Sequence, residues 1–286
     1  MGSKKLAAAI PASIISDAPH LREKTAKIGL IGRAAAIFRI NEIIVYRDER
    51  QANQQQQADL IVTLLRYMET PQYLRKRLFK LDPQLKYAGI VPPLRTPHHP
   101  LNKKTIELKI GEYREGVVTA TTSDGVLVDV GVEAPALLRE KHLAVGKRLT
   151  VKIARVNGQV EVQTANRAEI PCYWGYEVTQ AMENNALAEL LLSAKFDLKI
   201  ATSKKGTKFT DVAEKISQKW KKASGILLLF GSPKKGLYEL AKERKMNLDE
   251  LADFVVNTIP EQGTETVRTE EALLATLAVF NVHFGV

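Results

Sequence analysis

Cysteine is nearly absent from the sequence. Among 286 residues only Cys172 carries a thiol, which excludes an internal disulfide framework and any multi-cysteine zinc site. Long apolar runs are missing too: stretches such as 225–231 are strand-sized, far short of the ~20 residues that cross a bilayer. At the N-terminus Lys4 and Lys5 precede only residues 6–11 before a proline, too short for the apolar core of a secretory signal. Several nucleotide and hydrolase templates fail. No G-x-G-x-x-G follows an early strand, which speaks against a dinucleotide fold and the commonest methyltransferase architecture. There is no G-x-S-x-G. Gly231–Gly236 has the glycine half of a phosphate loop, but Leu237 and Tyr238 stand where Lys and Ser/Thr are required. His98-His99 lacks nearby carboxylates or cysteines, so no metal site is expected.

What is present is a soluble globular composition, 45% hydrophobic and 26% charged, able to bury a sizeable core. Lys and Arg number 42 against 32 acidic residues, a net charge of +10, which favours a polyanionic partner. A cytoplasmic protein without membrane or metal partners is expected.

The apolar run 6–10, ended by Pro11, suits a buried strand. A helix follows Pro19, with Ile28, Ile31, Ala35 and Phe38 at helical spacing. Its Arg22–Ala26–Gly29–Arg33 face is small in the middle with a cation at each end. Residues 40–46 (INEIIVY) read as a second buried strand, and strand, helix and strand in this order favour a parallel sheet. The glutamine-rich run 53–57 reads as the exposed start of an amphipathic helix through Met68. Thr70-Pro71 resembles an N-cap and N1 pair for the basic helix QYLRKRLF. Five prolines between 81 and 100 break up the chain.

Composition changes near Lys103. Alternating patterns at 112–121, 126–131, 136–138, 148–156 and 159–164, separated by turn signals, predict five short strands and a small closed barrel of the OB type. The βα rhythm then returns, with strands at 173–178, 198–201, 225–230 and 254–259 and helices at 182–192, 211–220, 236–245 and 269–282. The expected organisation is one α/β domain built from 1–102 and 166–286, with the barrel inserted at 103–165. Three segments follow C-terminal-half strands, where open α/β sheets place ligands: 201–206 (ATSKKG), 230–236 (FGSPKKG) and 257–264 (NTIPEQGT). Each glycine can simply permit a tight turn, but three such loops together predict a shared cleft.

LLLFGSPKKGL and NTIPEQGTETVRTEEALLATLA resemble the last two motifs of the SPOUT (α/β-knot) methyltransferases. Together with GRAAAIFRINEIIVY, PQYLRKRLF, YAGIVPPLRTPHH and YWGYEV, they make the chain similar to the archaeal and eukaryotic family of RNA uridine N3-methyltransferases. That resemblance implies a parallel sheet with a C-terminal trefoil knot, binding of S-adenosyl-L-methionine, and a homodimer pairing through the first and last helices. It implies methylation of a base nitrogen in ribosomal or another structured RNA; a non-catalytic ribosome-assembly factor that keeps the fold is the alternative.

By the same match, Thr202, Gly231, Ser232, Gly236, Asn257, Ile259, Gly263 and Thr264 are cofactor candidates, with Gly231 where backbone would approach the ligand. Arg33 can hold an RNA phosphate or assist deprotonation of the base, or be an ordinary helix arginine. Arg268 is the other catalytic candidate, preferred over Glu270. RNA contacts are expected from Arg22, His98, Arg114, Arg139 and Arg148, with Lys141, Lys147, Lys152 and Arg155 adding barrel cations.

Overall fold

The computed structural model of the chain describes residues 4–49 and 54–285; Asn53 of the glutamine-rich run lies outside them. In chain order the elements are β1 (Lys5–Pro11), α1 (Leu21–Ile37), β2 (Glu42–Tyr46), α2 (Gln55–Glu69) and α3 (Gln72–Leu78). Five strands follow: β3 (Tyr113–Thr122), β4 (Gly125–Asp129), β5 (Ala136–Leu138), β6 (Arg148–Arg155) and β7 (Glu161–Thr164). The rest is β8 (Glu177–Ala181), α4 (Ala186–Leu192), β9 (Leu198–Lys208), α5 (Phe209–Lys222), β10 (Gly225–Leu229), α6 (Leu237–Glu243), α7 (Leu248–Leu251), β11 (Phe254–Asn257) and α8 (Thr269–Phe284). The chain divides into two compact units, one of Met1–Arg66, Gln84–Pro93 and Tyr176–Val286, the other of Tyr67–Pro83 and Leu94–Gly175. The unit holding the barrel thus reaches beyond the 103–165 segment marked by composition.

The first unit is built on a six-stranded sheet in the order β11-β9-β10-β1-β2-β8, with every neighbouring pair parallel. Its strands read as near-continuous apolar runs because both faces are covered. On one face Ala7, Ala9, Ile44, Tyr46, Leu227 and Leu229 join Leu187, Leu190, Leu191, Leu237 and Leu240 of α4 and α6. The alternate residues Ala8, Ile10, Ile43, Val45, Ile226 and Leu228 are equally buried. Three successive alanines would favour a helix in isolation; here burial between larger strands overrides that preference. On α1, Ile28, Ile31 and Ala35 are buried, as their spacing predicts, and Phe38 is its C-cap. Gln54, at the head of α2, is not a solvated helix start. Its Oε1 accepts from the backbone N–H groups of Asp48 and Glu49, both at 3.1 Å, and its Nε2 donates to Asp48 Oδ1 at 2.9 Å.

The second unit carries a closed five-stranded barrel, β3-β4-β5-β7-β6, filled by Val118, Val126, Val128, Ala136, Leu138, Val151, Ile153 and Val162. Beside this apolar core lies a buried ionic network around Glu69 and Glu115. Arg148 bridges the two carboxylates, at 2.7 Å from Glu69 Oε2 and 2.6 Å from Glu115 Oε2. Arg167 donates to Glu69 Oε1 at 2.9 Å, while Thr150 Oγ1 and Trp174 Nε1 donate to Glu115 Oε1 at 2.6 and 2.7 Å. Both His98 and His99 turn Nε2 to the Glu69 carbonyl, at 2.9 and 2.7 Å, so each carries its proton on Nε2 in the neutral form.

Three local readings change. The strand expected at 173–178 lies at Glu177–Ala181 instead, because Trp174 belongs to the Glu115 network. Thr70 does not cap α3, whose N-cap is Pro71 without a side-chain bond; its hydroxyl accepts from Arg148 at 3.3 Å. Helix α7, capped by the Asn247 side chain accepting from Asp249 N–H, was not legible in the periodicity.

Glu69→Gln should therefore leave the half-buried Arg148 and Arg167 short of a countercharge and, with solvent screening part of the loss, cost about 1–3 kcal/mol. Urea unfolding followed by Trp174 fluorescence in a Trp220→Phe background measures this. Acid should act in the same direction. Burial alone would raise the Glu69 pKa, but the His98 hydrogen bond and the Arg148 charge outweigh it and hold it at about 2. Burial, with His98 beside it, pushes His99 down to about 4. The unfolded chain therefore takes up protons before the folded one in both cases. Stability should be flat from neutral pH until tyrosines begin to ionise near the ordinary value of 10, start to fall as pH drops below the ordinary histidine value of 6.5, and fall further between 4.5 and about 2.

Candidate functional site

At the carboxyl edge of the parallel sheet, the chain leaving β9, β10 and β11 encloses a cleft of about 260 Å³. The β9 wall arises from a break in register. Ala201 pairs with Val255 but Thr207 pairs with Val256, so Thr202–Gly206 loops out of the ladder. Gly206 closes that excursion with its Cα against the β11 backbone: a Cβ there would lie 2.7 Å from Val255 O, which no side chain can relieve cheaply.

Three successive carbonyls leaving β10 are each met by a hydroxyl from a different element. Thr202 Oγ1 donates to Leu229 O at 2.9 Å, Tyr46 Oη to Phe230 O at 2.6 Å, and Thr269 Oγ1 to Gly231 O at 2.9 Å. A strand end that turns away from its ladder would otherwise leave these acceptors unpaired. Burial, reinforced by the Asp48 charge, holds the Tyr46 hydroxyl well above its usual pKa, so it remains a donor. Two turns after Thr269 on the same face of α8, Thr276 Oγ1 meets Thr258 Oγ1 at 2.8 Å. Helix α8 thus fastens both the β10 and β11 loops. The Asn257 side chain links the remaining pair, donating to Lys204 O at 3.1 Å and accepting from Ile259 N–H at 2.9 Å. The periodicity of 269–282 could have flagged Thr269 and Thr276, two hydroxyls seven residues apart on a helix that is apolar from Ala272 to Phe280 but for Thr276; nothing local marked Tyr46.

The cleft brings together six of the eight residues singled out by sequence, Thr202, Gly231, Ser232, Gly236, Asn257 and Ile259; Gly263 and Thr264 lie outside its lining. Gly231 plays a different part from the one expected. Its φ is not in the left-handed region, and a Cβ would meet Gly236 Cα and Leu237 N at 3.1 Å. It lets the loop close on itself. Gly236 is the glycine that faces open space, with nothing within 4 Å of a Cβ. Apolar Phe230, Val256, Ile259, Val267 and Ala272 alternate with polar backbone along the walls. Lys204, Lys205, Lys234 and Lys235 line the cleft with one acid, Glu239. Hydrogen bonds from Gly236 N–H and Lys205 hold the Glu239 carboxyl below its ordinary pKa.

The other candidates are scattered. Arg33 donates to Pro93 O at 3.0 Å and lies outside the cleft lining. Arg268 is exposed at the N-cap of α8, its backbone N–H held by Glu271 at 2.9 Å, between the lining residues Val267 and Thr269. Glu270 is buried and faces Lys27 of α1 at 3.2 Å. Arg22 is exposed on the first turn of α1. Three of the expected RNA contacts point inward. His98 and Arg114 are fully buried, the latter bonded to Glu112, Asn102 and Val130 O. Arg148 is engaged by Glu69 and Glu115. Arg139 is exposed but shares Glu161 with Arg155. Among the described residues no group of three His, Cys, Asp or Glu is placed to hold a metal ion, and no helix is long and apolar enough to cross a membrane.

Comparison with known proteins adds an independent line. Residues 5–280 match the model of a family described as "Putative RNA methyltransferase". An uncharacterized protein of Halobacterium salinarum is 33% identical over 94% of this chain and 95% of its own length. The 28S rRNA (uridine-N(3))-methyltransferase of Homo sapiens is 32% identical over 96% of this chain and 77% of its own. The enzyme of the same name from Drosophila melanogaster is also 32% identical, and the match spans only 61% of that longer protein.

The hydroxyl clamp gives a direct expectation. Tyr46→Phe and Thr269→Val each strand a carbonyl of the β10 loop and should cost about 1–3 kcal/mol. Because the two carbonyls are adjacent, the double variant should depart from additivity. Amide hydrogen exchange should speed up across 230–237 in either single variant while the β1 and β2 amides stay protected.

Proposed function

The chain belongs to this family of RNA methyltransferases, and on that basis we propose that it transfers a methyl group from S-adenosylmethionine to N3 of a uridine in ribosomal RNA, at the cleft just described. The observation that carries the reading is the convergence of three strand ends at the carboxyl edge of a parallel sheet, with walls in which Gly231, Ser232, Gly236 and Asn257 stand beside apolar Phe230, Val256 and Ile259. Such walls can follow the edge of a flat ring closely, while a few fixed polar groups set its orientation.

The residues fit that methyl donor. At Gly236 nothing lies within 4 Å of where a Cβ would be, so a ligand could come close to the backbone there. Phe230, Val256 and Ile259 would cover the faces of an adenine ring, the loop amides and carbonyls its polar edge, and Lys204 and Lys205 of the β9 excursion a carboxylate. When bound, the donor supplies an electrophilic methyl carbon on a positively charged sulfur. The protein's share of the chemistry is placement. The hydroxyl clamp holds the β10 loop still, so that donor and acceptor meet in line, which can account for much of the acceleration.

Two further parts of the reading concern partners. RNA would be gathered by exposed cations of the barrel unit, now Lys141, Lys147 and Lys152 in place of the buried Arg114 and the ion-paired Arg148. With Tyr113 as their aromatic neighbour they suit phosphates more than bases. A homodimer is supported by unpartnered apolar side chains on two helices that pack on each other, α1 and α8. Leu30 and Ile37 on α1 are 59% and 51% exposed, Leu274 and Val282 on α8 48% and 82%. The small face first considered is less suitable, since Val91 and Pro92 of the same chain cover Gly29. A trefoil knot in the C-terminal part accords with the way α8 fastens two loops at once.

Titration calorimetry and nucleoside mass spectrometry test the reading. S-adenosylmethionine should bind, and incubation with ribosomal RNA should yield 3-methyluridine. Gly236→Val should fold normally, since its φ of −70° and ψ of 166° suit any residue, yet weaken cofactor binding on the order of tenfold or more. A Val variant with unchanged affinity would remove the cofactor from this cleft. Replacing Lys141, Lys147 and Lys152 by Gln should weaken RNA binding and flatten its salt dependence, the slope falling by about one for each phosphate no longer neutralised. Leu30→Glu with Ile37→Glu should give a monomer by light scattering; a monomeric parent protein would argue against the dimer outright.

A further inference from the structure

The cleft is rich in cations and poor in bases. Four lysines line it against a single carboxylate, Glu239, already engaged by Gly236 N–H at 3.1 Å and Lys205 at 3.4 Å. The lysines are not equivalent. Lys205 is paired with Glu239, and Lys235 with Glu243 at 2.5 Å. Lys204 donates to the Glu265 carbonyl at 3.2 Å. Lys234 is exposed at the cleft, and among the described residues no acidic group lies within ion-pair distance of it.

A uracil N3–H is a weak imide acid, largely protonated at neutral pH, and the neutral nitrogen has no available lone pair for attack. Its anion spreads charge over N3, O2 and O4, where a cation can hold it. Resting on the uridine N3 reading above, we propose that Lys234 activates the target by electrostatic stabilisation of the imide anion through a carbonyl oxygen, without a carboxylate base. The N3–H bond breaks with its electron pair left on nitrogen, and the proton passes to water. The nitrogen pair then bonds the methyl carbon of the sulfonium donor, whose carbon–sulfur pair returns to sulfur. A charge already standing at the cleft favours the anion over the neutral imide as the proton leaves, and a lysine offers three rotatable donors for either oxygen.

Single-turnover rates at saturating RNA and cofactor, followed as 3-methyluridine by mass spectrometry across about pH 6 to 9, test this. The parent rate should rise tenfold per pH unit over the lower part of that range. Lys234→Gln should slow transfer on the order of 10²-fold near neutrality, with the deficit narrowing as pH rises and the imide ionises unaided. Lys234→Arg, which keeps the charge, should recover most of the rate. Affinities for S-adenosylmethionine and for RNA, measured separately, should be unchanged in Lys234→Gln, and Glu239→Gln should keep the shape of the pH profile. A loss of cofactor affinity in Lys234→Gln would make it a carboxylate holder instead and overturn the proposal. Weaker RNA binding with a parallel pH profile would make it a phosphate contact and do the same. Loss of the rising limb in Glu239→Gln would restore a carboxylate base. Methylation at another position of uridine would overturn the target reading itself, a result distinct from all of these.

Discussion

Every feature of the cleft depends on how the chain leaves β10. In a parallel sheet the ladder supplies partners only as far as neighbouring strands extend together, and beyond that point each carbonyl must find another donor or bear the cost of desolvation. Here Leu229, Phe230 and Gly231 find theirs in Thr202, Tyr46 and Thr269. These donors come from the β9 excursion, from β2 and from α8, so satisfying one short stretch of backbone fixes the mutual placement of three distant segments. The loop that results has its carbonyls paired without being wholly buried.

The two units solve the problem of buried polarity in different ways. Around the cleft the sheet unit uses neutral hydroxyls on backbone carbonyls, whereas the barrel unit places paired charges beside its core. Glu69 occupies the last position of α2, where the helix dipole disfavours an anion, and it is kept there by Arg148 and Arg167. Removing charge from such a site leaves the partners buried, so the network is intolerant of single changes even though its net contribution to stability is modest.

The strands were readable in the sequence because apolar periodicity survives tertiary context. The five barrel strands and the four inner strands of the sheet fall within a few residues of their expected bounds, apart from the run of β9 beyond Ala201. The three cleft loops were readable because strand ends in an open sheet point to one edge. What was not readable was the direction of individual cations. Arg114 sits in an alternating strand where a solvent-facing side chain is the ordinary reading, yet its partners Asn102 and Val130 are supplied by segments 12 and 16 residues away. Arg148 meets Glu69 across 79 positions. Local spacing carries no trace of such pairings. Trp174 misled in the same way: an aromatic beside other aromatics looked like strand, while its indole N–H was committed to Glu115.

The placement of Thr269 and Thr276 on α8 also bears on the order of synthesis. A ribosome delivers the sheet strands and all three loops before it delivers this helix. Until then the Gly231 carbonyl and the Thr258 hydroxyl lack the partners that hold their loops, and the nascent chain has strands but no finished cleft. The cleft is therefore finished only when α8 docks, after every strand of the sheet has been made.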